Sequence, residues 1–224
     1  MSNTDNSKDK TVEQTVKETV QKPNENTGVM MEGHIKIFDP ESNEVFIDKR
    51  NAIHYENMSI SLAESLGNEG RGNIVEMAFG NGGTTVDPTG IITYLTPNNA
   101  GVNASLYNQT YYKTVDDNNT NNTDPARNFI ETRHTLGTTY TDILISCLLD
   151  YGEPTGQQAF DNSTDMDGNF VFDELGLKAY STSGANQGRL LTHVIFHPVQ
   201  KSLNRLIQID YTIRIQSLTN ISEI

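Results

Sequence analysis

The chain has 224 residues, with 16 basic against 29 acidic side chains and a formal charge of -13. That length suits one large β-rich domain or two small ones, with a core that needs neither a metal nor a disulfide. The acidic balance repels phosphate backbones and anionic lipid surfaces, so neither nucleic acid nor a membrane is an expected partner.

Residues 1–28 are polar and charged and carry Pro23, with Val12, Val16 and Val20 as isolated apolar positions. So little apolar surface cannot offset ordering entropy, and a flexible arm is expected. The valine spacing of four would give one thin helical stripe on docking to a partner. The opening MSNTDNSKDK lacks the apolar core of a secretory signal, and no later segment approaches the roughly 20 apolar residues that cross a bilayer. A soluble product made in a cytoplasm is the expectation.

Residues 29–224 read as one domain. Ile35 and Ile37 alternate with polar neighbours, Asp39 to Asn43 turn the chain, and Val45 and Ile47 return it, which predicts a β-hairpin. Met58, Leu62 and Leu66 then fall four apart, with Asn57 or Ser59 as cap and Gly67 as terminator, predicting a short amphipathic helix. Strands follow over Ile74 to Phe79 and Ile91 to Leu95, around a turn at Gly80-Asn81-Gly82-Gly83 whose glycines are expected to supply positive φ.

An Asn-, Asp- and Thr-rich stretch then holds a strand within Leu106 to Val115, and strands are predicted at Phe129 to Thr135 and Thr141 to Leu149. Cys147 sits in the last of these; as the single cysteine it can form no disulfide within the chain and reads as a small core hydrophobe. Near the end, Ile207, Ile209, Tyr211, Ile213 and Ile215 alternate strictly with polar residues, a period of two that only an extended strand uses. Many short strands with one helix predict a mainly β fold, an antiparallel β-sandwich or small barrel with long loops.

Chemistry-bearing motifs are sparse. The glycine cluster has no following G-K-[S/T] and no helix, so it does not read as a phosphate loop. Ser163 to Glu174 matches a calcium loop at its third, fifth, sixth and twelfth positions, making Asp165, Asp167 and Glu174 a weak cation candidate. Its first position is serine and no helix precedes it, so an Asp-Gly turn entering a strand is preferred, and no cofactor is expected. His193 and His197 share a strand parity, but four strand residues span about 13 Å, too far for one metal. Neither Cys147 nor any serine has an activating motif, and Asp116-Asp117 read as solvated turn residues, so no enzymatic activity is expected.

Four segments carry a resemblance: MAFGNGGTTVDPTG from Met77, ELGLKAYS from Glu174, LLTHVIFHPVQKS from Leu190 and IQIDYTIRI from Ile207. In this order they resemble structural proteins of tailed bacteriophage virions, similar to tail, collar and fibre-attachment domains of contractile-tailed phages of marine bacteria and cyanobacteria. The resemblance spans residues 33–217, without the loops at 97–128 and 150–168. It implies a non-enzymatic virion component of the neck, tail or baseplate, a homo-oligomer in a ring or trimer that contacts neighbouring virion proteins through loops and termini. Two other roles fit the same residues. One is a capsid decoration or cement protein; the other is a receptor- or glycan-binding module using Tyr107, Tyr111 and Tyr112, although the chain has no tryptophan.

Overall fold

A computed structural model describes residues 28–155 and 170–218. The arm expected over residues 1–28 therefore lies outside the described residues except for Gly28, which opens the first strand. The fold is mainly β, antiparallel throughout, with one helix. The predicted hairpin is β1 (Gly28–Phe38) and β2 (Val45–Ile53), closed at Asn43 in the left-handed region. Helix α1 (Tyr55–Leu66) follows.

Its cap is neither Asn57 nor Ser59. His54 takes the position, in extended conformation, and its Nδ1 accepts the Asn57 N–H at 3.1 Å. An imidazole with a free lone pair satisfies the orphan first-turn donor as a serine would, which a reading limited to the usual capping residues misses. Gly67 ends the helix, but with φ -75 rather than in the left-handed region.

Strand β3 (Ile74–Gly80) leads to a small hairpin of β4 (Thr84–Val86) and β5 (Ile92–Tyr94), of which only β5 was predicted. Next come β6 (Gln109–Thr114), β7 (Phe129–His134), β8 (Tyr140–Leu149), β9 (Val171–Ala179), β10 (Thr192–Gln200) and β11 (Ile207–Leu218). Nine of the strands form one sheet in the order β6-β3-β9-β10-β2-β1-β11-β8-β7.

The sheet curls because its two halves are joined weakly. Strands β1 and β11 pair over eleven residues, whereas β10 meets β2 only at Thr192↔Ile53 and His193↔Ala52. So short a ladder lets the sheet turn a corner, and the inner faces close on one core as a half-barrel. Ile35, Met77, Ile145, Leu149, Leu177 and Ile209 meet there, drawn from both halves. On β11 the buried positions are Ile207, Ile209, Tyr211 and Ile213, the alternation read from the sequence.

Cys147 lies in the same core with no exposure, and burial pushes its thiol up to about 12. At the end of the half-barrel remote from α1, the edges approach each other: Lys113 on β6 donates to the Leu148 carbonyl at 2.7 Å and pairs with Glu153. Lys201, equally buried, donates to the Ser202 carbonyl at 2.8 Å, and burial lowers its ammonium to about 8.

Half of the sheet is covered on its outer face as well. The excursion from Asn81 to Asn108, including the β4-β5 hairpin, lies over β3, β9 and β10, and Leu106 packs with Ala78 and Leu190 in a second small cluster. Close approach here demands glycine: a Cβ on Gly176 would stand 2.3 Å from the Thr192 carbonyl oxygen. Gly176→Ala should therefore cost about 1–3 kcal/mol. Gly152→Ala, with open space around the added carbon, should change stability by less than about 0.5 kcal/mol. Urea unfolding of the two variants checks this, and equal midpoints would contradict the packing.

Candidate functional site

Two features stand out, a buried polar latch on the outer face and an apolar mouth at the α1 end of the half-barrel.

The latch is built on β9. Phe172 and Leu175 both reach the inner core although they are three residues apart, because the β9-β10 register breaks between Ile195 and Val199. The break turns both intervening carboxylates toward the glycine loop. Asp173 accepts the Gly83 N–H at 2.9 Å and the Thr84 N–H at 2.8 Å. Glu174, with no exposure, accepts four: Gly82 N–H at 3.1 Å and Asn108 N–H at 2.7 Å on Oε1, Tyr107 N–H and His193 Nε2–H at 2.9 Å each on Oε2. His193 is equally buried, and its Nδ1 accepts the Asn98 N–H at 2.7 Å. An acceptor at Nδ1 places the ring proton on Nε2, the tautomer that donates to Glu174.

The two neighbouring carboxylates shift in opposite directions. Burial alone would raise Glu174, but the His193 N–H and the Asn108 and Tyr107 amides outweigh it and hold the carboxyl below the usual glutamate range. Burial dominates at Asp173 and raises it despite the Thr84 and Gly83 donors.

The latch also accounts for the glycines, and corrects the expectation of positive φ. None of Gly80, Gly82 and Gly83 is in the left-handed region. A Cβ on Gly80 would meet Glu174 Oε1 at 2.5 Å, and one on Gly82 would meet the Asn108 nitrogen at 2.7 Å. Side chains are excluded because the loop backbone must approach the carboxylate.

Of the cation candidate, Glu174 is thus occupied by N–H donors, while Asp165 and Asp167 lie outside the described residues. His197 is exposed and shares a hydrogen bond with the Tyr94 hydroxyl at 3.2 Å, well apart in role from His193. The three tyrosines do not share a platform. Tyr111 packs inward with its ring centroid 6.0 Å from that of Phe79, Tyr112 points outward, and Tyr107 packs on His193 while donating to the Thr96 carbonyl.

The mouth is a crevice of about 540 Å³ between α1 and the open ends of β1, β3, β8 and β11. Met31, Met58, Leu62, Ile143, Ile213 and Ile215 contribute its apolar walls, and Asp116 and Asp117 stand at its polar side. These acids follow β6, and nothing in the pattern around them signals that their loop borders an apolar opening.

Exposed aliphatics lie on or next to the elements that line it. Val29 and Leu218 sit on the paired ends of β1 and β11, Leu66 follows the lining residue Ser65, and Leu136 tips the β7-β8 turn; their exposures are 61, 43, 80 and 91%. No known protein family, curated protein or solved structure matches this chain.

Glu174→Gln should destabilise the protein by about 2–3 kcal/mol at pH 7, since one amide hydrogen pair must face an N–H donor in a buried site. The native carboxyl titrates lower than the unfolded one, so its contribution is complete above the unfolded value and disappears as pH falls through the native one. The gap between the two proteins in urea unfolding should accordingly narrow below about pH 4. A gap that widens on acidification would contradict the assignment.

Proposed function

We propose that the protein is a non-enzymatic structural component of a bacteriophage virion, placed in the neck, tail or baseplate, and that it associates with copies of itself and with adjacent particle proteins through the mouth end of the half-barrel. The observation that carries the association is that Val29, Leu66, Leu136 and Leu218, all exposed, sit on or next to the elements that line an apolar crevice. Single exposed leucines are ordinary, but large aliphatics gathered at one end of a fold mark a contact surface. The particle is suggested by the sequence resemblance alone.

The latch supports a structural role for the most chemically suggestive residues. Glu174 and His193 spend their polar atoms on backbone amides and on each other, which holds a loop rather than presenting groups to a substrate. A fixed, doubly covered sheet half is a rigid support for a contact surface at its end.

Leu66→Asp combined with Leu136→Asp should leave unfolding stability within about 0.5 kcal/mol per site, because both side chains are exposed in the free chain. The same variant should lose self-association in light scattering and incorporation into particles. Unchanged association would remove the mouth as the contact surface. For the location, quantitative mass spectrometry of particles containing the protein should give a copy number far below that of the major shell protein; a comparable number would indicate a decoration or cement protein instead.

A further inference from the structure

Strands β6 and β7 are the two edges of the large sheet, and they differ in how open they are. The ladder of β6 with β3 shifts between Phe79 and Gly80, and Lys113 crosses from β6 to the Leu148 carbonyl and Glu153. The ladder of β7 with β8 runs without a shift from Phe129 to His134, and β7 holds no proline, glycine or lysine. Among the described residues no strand or loop backbone pairs with its outer side. A regular edge without such blunting offers its free N–H and C=O groups to another strand. It also belongs to the mouth, since Ile130 and Thr132 line the crevice.

The side-chain order selects the strand that fits. Alternation puts Glu131 and Arg133 on the outward face, opposite to Ile130 and Thr132, and both are exposed. Within one chain they bond to each other, Arg133 Nη2 donating to Glu131 Oε2 at 2.7 Å. In a chain of net charge -13 this edge carries one acid and one base, so two copies meet there with little of their general repulsion. When two copies of β7 pair antiparallel with their cores on one side of the joined sheet, outward residues lie opposite outward residues. The two-fold axis then passes through a residue position. Centred on Thr132, the pairing sets each Glu131 opposite the Arg133 of the other copy. Centred on Glu131 or on Arg133, it sets that charge against its own copy, which is unfavourable. The Thr132 register also carries Leu136, 91% exposed at the hairpin tip, to the Phe129 end of the other copy's strand.

We infer that two copies of the protein join by antiparallel pairing of their β7 edges centred on Thr132, so that one sheet continues from half-barrel to half-barrel. The inference rests on the mouth end being the contact surface, and gives that surface a partner, a second copy, and a register.

The test uses the full chain in sedimentation. Glu131→Arg and Arg133→Glu, each alone, should weaken self-association about tenfold by opposing like charges across the two-fold axis. An equimolar mixture of the two variants should recover association as a mixed dimer, which loss of the ion pair within one chain would not produce. Both sites are exposed, so circular dichroism should match the parent. Thr132→Cys should form a disulfide between copies on mild oxidation, its paired Cα atoms lying about 4.5–5.5 Å apart, while Cys147 stays sealed in the core. Unchanged association of the single variants, no recovery on mixing, or no disulfide at Thr132→Cys would overturn the inference. If it fails in this way while the Leu66 and Leu136 variant still loses association, the mouth stands as a contact surface without edge pairing. If the mixture recovers and the disulfide forms while that variant associates normally, edge pairing stands and the aliphatic contact falls.

Discussion

The carboxylate of Glu174 is the constraint around which half of the molecule is arranged. An ionised group with no exposure is tolerable only when its lone pairs are filled, and four N–H donors do so. Three of the four are backbone amides of the Asn81 to Asn108 excursion or the turn that begins it. Satisfying the charge therefore also fixes that excursion over β3, β9 and β10. The glycines at 80, 82 and 83, the tautomer of His193 and the burial of Leu106 all follow from the same demand.

The two halves of the sheet consequently differ in kind. Strands β3, β9 and β10 are covered on both faces, while β1, β8 and β11 present polar side chains outward, as the Arg214 guanidinium does in its two 2.8 Å bonds to Asp142. Between them the two-pair junction of β10 with β2 sets the corner. One end of the resulting half-barrel is tied by Lys113 and Glu153, and the other is left to α1, whose length does not seal it.

This difference decides what was legible in the sequence. Strand β11 faces the core on one side only, so its alternation survives as a period of two and its buried set was readable residue by residue. Strand β9 is buried at nearly every position, and a strand covered twice has no period to read; Glu174 there stood out only as the twelfth position of a weak calcium-loop match. The latch stayed hidden because its backbone donors lie 66 to 92 residues from the carboxylates and leave no trace in side-chain identity. The glycine cluster was visible, but its cause was not: close approach and positive φ select the same residue. The mouth was invisible for a different reason, since Met31, Ile143 and Ile215 are ordinary strand aliphatics until the curl brings them beside α1.

Cys147 gives the core a property beyond packing. Its sulfur is sealed between the two halves of the sheet, and a thiol pushed up to about 12 holds almost no thiolate at neutral pH. Reaching it requires an opening that uncovers the core, loss of the Ile209↔Cys147 pairing between β11 and β8 included, so the rate at which a thiol reagent modifies this single cysteine is a clock for openings that reach the core.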